Sequence, residues 1–371
     1  MRLEKLSLFN FKNYEETQIV FQGNIHCFLG KNGSGKTNLL DAIYYLSFTK
    51  SSLTSSDTQN IRISQNQFFI KGAFSRQQKR SEVICSFQQG QKKMIRENDL
   101  DYGKFAEHIG KYPVVMVAPQ DIELIWDGSE VRRKFFDSLI SQLDRVYLDH
   151  LITYTAFLKQ RNSALRFFSE KGKVDHDLLE SYDQKLLPAA DYIFKKRRDF
   201  IKDFIPRLIN HYRFLSDNEQ EVISVLYRSD LEEMDWSETL KKNLSRDLAL
   251  QRTTSGIHRD DFLFSLNNNE LKRFGSQGQQ KSFLIGLKLA EFDSITINKS
   301  LKPILLLDDI FDKLDDSRIN KLMQLVAKEN FGQIFITDAR PGRTKVILEQ
   351  AGITAELFEL ENGNLKVNGK G

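Results

Sequence analysis

The chain has 371 residues, a length at which one hydrophobic core usually stops growing, so two compact units are expected. Its formal net charge is only +4 although 28% of its residues are charged, so any nucleic-acid-binding face must be local. Two cysteines, Cys27 and Cys85, exclude a disulfide framework and a zinc site, and no apolar stretch reaches the roughly 18 residues of a membrane span, so a reducing cytoplasm is expected.

The N-terminal region predicts strands in LEKLSLFNF, TQIVF and NIHCFLG, followed by a glycine-rich loop. A helix is expected next, because Leu39, Ile43 and Leu46 recur at three- and four-residue spacing together with Leu40 and Tyr44. Short alternating pieces from about 67 to 95 predict an antiparallel meander, and YPVVMVAP predicts another buried strand.

After Gly128 the chain has few glycines and helical spacing until about Gln251, which predicts an inserted helical unit. The segments RTTSGIHRDDFLFSL, PILLLDD and GQIFITD then return to strands alternating with helices. Neither α/β part alone has enough strands for a covered parallel sheet, so the two are expected to combine. The predicted organisation is α/β, with head parts at 1–125 and 251–371 and a helical arm at 126–250.

The loop GKNGSGKT satisfies the phosphate-binding pattern of glycine, four residues, glycine, lysine and threonine. Its glycines let backbone N–H groups surround an anion, and the following helix adds its positive end. Lys36 is predicted to bridge the β and γ phosphates and Thr37 to bind Mg²⁺. The predicted nucleotide-binding residues of this loop are Gly30, Lys31, Asn32, Gly33, Ser34, Gly35, Lys36, Thr37 and Asn38.

Four aliphatic residues followed by two acids in KPILLLDD predict a strand end that faces the loop. Asp308 is predicted to hold the magnesium, and Asp309 to polarise an attacking water as the catalytic base, acting with Lys36. Two adjacent acids also occur in ordinary solvated turns and helix caps.

The segment FGSQGQQKSFLIGLKLAEF predicts a helix capped by Ser276. Ser276, Gly278 and Gln279 would present a hydroxyl, a backbone opening and an amide to an anion at the helix start. By itself the same pattern is equally typical of a well-capped helix without a ligand.

Together these segments resemble the ATPase head shared by ABC and SMC-type proteins, and within that group the RecF family. The resemblance extends over nearly the whole chain, through LSLFNFKNYEETQIVF, NGSGKTNLLDAIYYLSFTKS, APQDIELIWDGSEVRRKFFD, SGIHRDDF, FGSQGQQKS and LLLDDIFDKLD. It implies an ABC/SMC-type P-loop ATPase head split in sequence by the helical arm. It also implies that the SQGQ element contacts the ATP held by a second copy and that the LD turn after the acidic strand lies at the dimer contact.

The resemblance implies a cytoplasmic, weakly DNA-stimulated ATPase of DNA repair, replication, recombination and the SOS response, with ATP and Mg²⁺ as cofactors. Its members dimerise on ATP, clamp double-stranded DNA near single-strand gaps and junctions, and assist RecA with RecO and RecR. Three residues depart from the pattern: Ile257 replaces a usual proline, Asp309 stands where most ABC proteins have glutamate, and Asp338 stands where they often have histidine. The shorter base would fit slow hydrolysis.

Weaker expectations concern single residues and charge runs. Gln120 is a candidate magnesium-sensing glutamine, Lys12 and Asn13 are candidate nucleotide contacts, and His258 with Arg259 would fix the site or the subunit contact; each of them also fits a purely structural role. DNA candidates are the basic runs 195–198, 132–134 and 159–161, although such runs are usually solvated helix faces.

Two rival functions carry different requirements. The nucleotide-binding subunit of an ABC transporter would need a membrane partner and a shorter helical insertion. A P-loop small-molecule kinase would need an acceptor pocket and has no use for the SQGQ helix. A long SMC protein is excluded because the insertion has no sustained heptads.

Overall fold

The computed structural model describes residues 1–371 except 78, 217, 233–234, 329–330, 362–363 and 371, and only the backbone of 312–313, 364 and 366–370. The chain divides into two compact units, as its length predicts. Unit 1 consists of Met1–Asp121, His211–Asp217 and Lys281–Gly371, and unit 2 of Ile122–Asn210 and Asn218–Gln280.

The secondary structure alternates between strands and helices at both ends of the chain and is mainly helical between them. The strands are β1 (Arg2–Phe11), β2 (Tyr14–Val20), β3 (Ile25–Leu29), β4 (Gln67–Arg76), β5 (Lys79–Gln88), β6 (Met94–Glu97), β7 (Leu100–Asp101), β8 (Val114–Val117), β9 (Ile223–Arg228), β10 (Asp261–Leu266), β11 (Asn269–Glu270), β12 (Ile304–Leu307), β13 (Ile334–Asp338), β14 (Glu356–Glu361) and β15 (Asn364–Lys370). The α-helices are α1 (Lys36–Phe48), α2 (Glu123–Trp126), α3 (Ser129–Leu143), α4 (Arg145–Lys171), α5 (His176–Ser216), α6 (Trp236–Lys242), α7 (Leu244–Leu250), α8 (Leu271–Phe274), α9 (Gln277–Lys299), α10 (Ile310–Lys313), α11 (Asp316–Ala327) and α12 (Pro341–Gln350).

Unit 1 contains an antiparallel sheet with the strand order β2-β1-β4-β5-β6-β7. In β4, Phe68, Ile70, Gly72 and Phe74 are buried while the residues between them are not, which is the alternation of a strand with one covered face. The predicted meander over 67 to 95 is confirmed by β4, β5 and β6.

A second sheet in unit 1 has the order β15-β14-β3-β13-β12-β8, in which β8, β12, β13, β3 and β14 run parallel. Every residue of β8, β12 and β13 is buried, as expected for a parallel sheet covered on both faces. Strands from both ends of the chain form this sheet, so the predicted combination of the two α/β parts is confirmed.

The two sheets of unit 1 share a core and a polar link. The core takes buried side chains from β1, β4 and α1 on one side and from β3, β8 and β12 on the other. Gln333, just before β13, accepts a hydrogen bond from the backbone N–H of Leu3 at 2.7 Å and donates to the Leu3 carbonyl at 2.9 Å. The same amide donates to Nε2 of His26 on β3 at 3.0 Å, so one side chain satisfies groups of both sheets.

Unit 2 is built from α3, α4 and α5 with a small antiparallel sheet ordered β11-β10-β9. The strand expected in RTTSGIHRDDFLFSL is β10, but it pairs with β9 rather than with the sheet of unit 1. The predicted strand is therefore confirmed, and it belongs to the small sheet of unit 2. β9 lies within the insertion that the sequence predicts to be helical. It pairs with residues at least 33 positions further along the chain, beginning with the pair of Arg228 and Asp261.

Unit 2 extends to Gln280, whereas the sequence predicts that residues 251–280 belong to the head. The assignment of ranges to head and arm stays a prediction. Among the described residues, no helix combines the length and apolarity needed to cross a bilayer.

Candidate nucleotide-binding site

The glycine-rich loop connects β3 to α1 in unit 1, as the sequence predicts. Gly35 has φ of 107° and precedes the helix, and a Cβ there would lie 2.4 Å from Nδ2 of Asn13. At Gly30 a Cβ would lie 2.4 Å from the backbone oxygen of Leu360. The backbone contact excludes a larger residue at Gly30, and the positive φ disfavours one at Gly35, which leaves the loop backbone free to approach a ligand.

The side chain of Lys36 is directed into this loop and is 4% exposed. Its Nζ donates to the carbonyls of Gly30 at 2.8 Å and Lys31 at 3.1 Å. A cavity of about 240 Å³ opens at the loop and is lined by Asn32, Gly33, Gly35, Lys36, Thr37, Asn38 and Asp309. The predicted phosphate-binding residues and one of the predicted acids thus line the same cavity.

Thr37 and Asp308 are 271 residues apart in sequence and in contact in the structure. Thr37 Oγ1 donates to Asp308 Oδ1 at 3.0 Å, because the start of α1 and the end of β12 meet at the carboxyl edge of the parallel sheet. A hydroxyl beside a carboxylate is the oxygen donor pair that Mg²⁺ takes in phosphate-loop proteins, so the residues present fit that ion.

The carboxylate of Asp308 is 3% exposed and is held by a second hydroxyl. Thr337 Oγ1 donates to Asp308 Oδ1 at 2.7 Å and accepts from the backbone N–H of Asp309 at 2.9 Å. Burial raises the pKa of Asp308, while the hydroxyls of Thr337 and Thr37 and the ammonium of Lys36 oppose that rise. Thr337 therefore stabilises the ionised form of the acid.

Asp309 has φ of 44°, a left-handed conformation that non-glycine residues rarely adopt. In this conformation its backbone N–H donates a hydrogen bond to Thr337 Oγ1, and its half-buried side chain lines the cavity. The backbone turn thus gives the two adjacent acids different directions, one toward Thr37 and one toward the cavity.

The hairpin between β1 and β2 contacts the loop through Asn13 and Tyr14. Tyr14 donates its hydroxyl proton to the Gly35 carbonyl at 3.0 Å, and Asn38 donates to Asn13 Oδ1 at 2.6 Å. The sequence makes Asn13 a candidate for the nucleotide site, but not Tyr14. The contact of Tyr14 with the loop cannot be predicted from the sequence, because it depends on how the strands pair.

Lys12 lies in the same hairpin but forms a buried ion pair. Its Nζ is 2.5 Å from Oδ2 of Asp41 on α1, and the two side chains are 10% and 0% exposed. Asp41 also accepts hydrogen bonds from Ser51 and Ser52. Lys12 thus anchors the hairpin to α1, and a nucleotide contact for it stays a prediction.

Ser276, Gly278 and Gln279 lie at the start of α9, in unit 2. Ser276 Oγ accepts from the N–H of Gln279 at 3.3 Å, and Gln279 Oε1 accepts from the N–H of Ser276 at 2.7 Å. This reciprocal pair is a capping box, which confirms the predicted helix start. Gln279 also donates to Glu221 at 2.7 Å, whereas the side chain of Ser276 is exposed to solvent.

Asp338 occupies the end of β13 and is fully buried. Its carboxylate accepts from Thr344 Oγ1 at 2.5 Å, and its backbone carbonyl accepts from the N–H of Gly30 at 3.3 Å. Its side chain therefore packs inside unit 1, and its backbone supports the phosphate loop.

Gln120 is exposed, and its neighbour Asp121 is held in a buried polar group. Asp121 accepts from the N–H of Ala118 at 2.7 Å, and its other oxygen lies 3.0 Å from Nζ of Lys288 on α9. Glu291 lies one turn further along α9, and burial raises its pKa to about 7. The segment carrying Gln120 is thus fixed to α9 by one ion pair within unit 1.

His258 is placed by two hydrogen bonds within unit 2. Its Nδ1 is 2.6 Å from the hydroxyl of Tyr154 and its Nε2 is 3.0 Å from the carbonyl of Thr253, so Nε2 carries the proton. Burial lowers its pKa to about 4. Both ring nitrogens are occupied, which gives His258 a structural role, while Arg259 is exposed.

The basic run 195–198 is paired with acids along its whole length. Arg197 is 1% exposed and contacts Asp137 and Asp260, each at 2.9 Å. Its three neighbours pair at the surface, Lys195 with Asp191, Lys196 with Asp144, and Arg198 with Asp199.

The other two runs are similar. Arg161 is 1% exposed and pairs with Asp183 and Asp247. In the run 132–134, Arg132 pairs with Asp261 and Lys134 with Glu130. Arg132, Lys134 and Arg161 are therefore neutralised by acids within unit 2.

The sequence model of the family described as RecF/RecN/SMC N terminal domain matches residues 2–359. The DNA replication and repair protein RecF of Flavobacterium johnsoniae is 45% identical over 360 residues, which cover 97% of this chain and 100% of that protein. The solved structure of the recombination mediator protein RecF-ATPrS in the RecFOR pathway is similar, with a TM-score of 0.88, 27% identity, and 99% and 98% of the two chains covered. An Smc head bound to the C-winged helix domain of ScpA shares the fold, with a TM-score of 0.57 and 13% identity over 99% and 97% of the chains.

Proposed function

The chain belongs to the RecF family, and we propose that it is an ATP-dependent DNA-binding protein of recombinational repair and replication that acts as a weak ATPase. The observation that carries this proposal is the contact between Thr37 and Asp308, since it brings together the proposed phosphate-binding loop and the acid proposed to bind the metal. The names of the relatives support the DNA repair role, and the match to an ATP-analogue form of RecF supports ATP as the ligand.

In the proposed site, the N–H groups of the loop and the ammonium of Lys36 bind the β and γ phosphates. Thr37 and Asp308 would hold Mg²⁺, which neutralises charge on the phosphates when bound. Lys36 now donates to two loop carbonyls, so phosphate oxygens would replace those acceptors. Asp309, at the wall of the cavity, would accept a proton from the attacking water, and Thr337 keeps both acids in position.

Hydrolysis is proposed to require a second copy of the chain. Ser276, Gly278 and Gln279 would contact the γ phosphate held by the partner, as the family resemblance implies. The exposed Ser276 hydroxyl and the N-terminal end of a 23-residue helix suit contact with an anion. ATP would then favour the closed dimer because it contacts both copies, and hydrolysis would remove that preference.

The closed dimer is proposed to clamp double-stranded DNA near single-strand gaps and to assist RecA loading with RecO and RecR in the cytoplasm. The RecFOR pathway named for the solved RecF structure supports this set of partners.

ATP turnover with and without linear duplex DNA tests the proposed function. We expect slow turnover that duplex DNA increases and that Lys36→Met abolishes. Turnover that DNA leaves unchanged would remove the DNA-clamp proposal and leave open the nucleotide-binding subunit of a transporter.

A further inference from the structure

A second concavity in unit 1 lies at the amino-terminal edge of the parallel sheet, away from the strand ends that carry the nucleotide site. Its volume is about 750 Å³, against about 240 Å³ at the phosphate loop. The residues just before or at the starts of β3, β12 and β13 form its floor, and β1 and β4 contribute Arg2 and Arg76. We call this concavity the basic cleft.

The wall of the basic cleft carries basic side chains and, among the described residues that line it, no carboxylate. Arg2, Arg76 and Lys302 line it directly. Lys299 lies at the end of α9. Burial lowers its pKa, and the nearby positive charge of Arg76 lowers it further. The positive charges of Arg2, Arg76 and Lys299 therefore lie close together, which costs free energy unless an anion neutralises them.

Arg2 is fixed in this wall before any ligand arrives. Its Nη2 donates to the carbonyls of Gln22 at 2.6 Å and Gly23 at 2.8 Å, and its Nε is buried without a hydrogen-bond partner among the described residues. The Nη1 group makes no hydrogen bond among the described residues, and a guanidinium held in one geometry with this group unused is suited to an oxyanion.

The cations at the basic cleft differ from those of the basic runs in whether they pair with carboxylates. The runs 195–198 and 132–134 and Arg161 contact carboxylates within unit 2. In the part of the chain that the structure describes, Arg2, Arg76 and Lys299 have no carboxylate within ion-pair distance. Three cations without a carboxylate partner among the described residues thus lie in or beside one cleft, at a place that no basic run in the sequence marks.

We propose that the basic cleft is a second phosphate-binding site, separate from the nucleotide site. Phosphate matches the two guanidinium groups, since Arg76 can bind it with paired N–H donors and Arg2 can add its Nη1. The volume falls within the roughly 300–1,000 Å³ of small-ligand pockets, so a phosphate chain or a few consecutive phosphates of a nucleic-acid strand would fit. The source of the phosphate is either a free polyphosphate or the DNA backbone, and the experiment separates the two.

The test measures tripolyphosphate binding to the full-length Lys36→Met protein by titration calorimetry, so that the phosphate loop is impaired and the proposed ATP switch is not required. We expect one site per chain, weakened at least tenfold by adding Arg76→Glu and to an intermediate extent by Arg76→Gln. Lys79→Glu is the matched control, because Lys79 is exposed on the same hairpin and does not line the cleft. It should change the affinity less than twofold.

No binding to the Lys36→Met protein, or equal losses in Arg76→Glu and Lys79→Glu, would overturn the proposal. The second arm adds a short DNA duplex. If tripolyphosphate competes with the duplex and Arg76→Glu weakens both, the cleft binds DNA phosphates. If only tripolyphosphate binding falls, the site binds free polyphosphate.

Discussion

Thr337 donates its hydroxyl proton to Oδ1 of Asp308 at 2.7 Å. Through the same oxygen it accepts the N–H of Asp309, whose φ is 44°. One side chain therefore positions the acid proposed to hold magnesium and the acid proposed to act as base. Because neither acid can be replaced without removing its own chemistry, Thr337 offers a way to disturb their geometry alone.

Thr337→Val keeps the shape of the side chain and removes both hydrogen bonds. We expect kcat to fall by about 10- to 100-fold, the range of a displaced catalytic group, while the Kd for ATP without Mg²⁺ changes less than about threefold. Thr337→Ser restores the hydroxyl and should recover most of kcat. Normal turnover by the valine variant would show that Thr337 has no positioning role.

Gly33 and Gly35 look equivalent in the sequence of the glycine-rich loop but differ in the space available for a side chain. A Cβ at Gly35 would lie 2.4 Å from Asn13 Nδ2, whereas nothing lies within 4 Å of a Cβ at Gly33, although both have positive φ. Gly33→Ala should cost about 1 kcal/mol of unfolding free energy through backbone strain alone. Gly35→Ala should cost at least about 2 kcal/mol, since a clash is added to the strain. Chemical denaturation measures both, and equal losses would contradict the role assigned to Asn13.

The run 195–198 contains one buried arginine, Arg197, beside three cations at the surface. Arg197→Ala leaves Asp137 and Asp260 without their partner and should cost about 3–5 kcal/mol of stability. Lys195→Ala removes an exposed pair with Asp191 and should cost less than about 0.5 kcal/mol. A small loss from Arg197→Ala in thermal or urea unfolding would contradict the structural assignment of this run.

His258 should make the protein less stable in mild acid. Burial lowers its pKa to about 4, below the ordinary value of about 6.5 that it regains on unfolding. As the pH falls from 6.5 to 4, the unfolded state binds a proton that the folded state does not, so the free energy of unfolding falls. The loss attributable to this residue is up to about 3 kcal/mol.

His258→Gln should therefore make urea-unfolding free energies depend less on pH between 6.5 and 4 than they do in the parent chain. An unchanged pH dependence would show that the folded protein accepts the proton without cost.

The parts of the fold that could be predicted from the sequence depend on local patterns. The strand, loop and helix around Lys36 follow from the apolar run, the glycines and the helical spacing, and the four aliphatic residues before Asp308 mark a buried strand. Their meeting at one sheet edge follows from the parallel topology, so the pair of Thr37 and Asp308 could be expected.

The remaining features depend on contacts between distant segments. Thr337 ends an apolar strand in which threonine is common, and only the pairing of β12 with β13 brings it to Asp308. Arg197 lies in a run of four cations, and its burial is decided by Asp137 and Asp260, 60 and 63 residues away. β10 pairs with β9, and β9 could not be predicted because it lies in an insertion whose residue spacing is mainly helical.

The central claim is that ATP joins two copies of the chain by contacts from the loop around Lys36 and from Ser276. Sedimentation velocity with a saturating non-hydrolysable ATP analogue and Mg²⁺ tests it most directly. We expect a dimer for the parent chain and monomers for Lys36→Met and Ser276→Arg, with Ser276→Arg still binding nucleotide in a separate titration. A parent chain that remains monomeric at high protein concentration, or a Ser276→Arg variant that dimerises normally, would contradict the account.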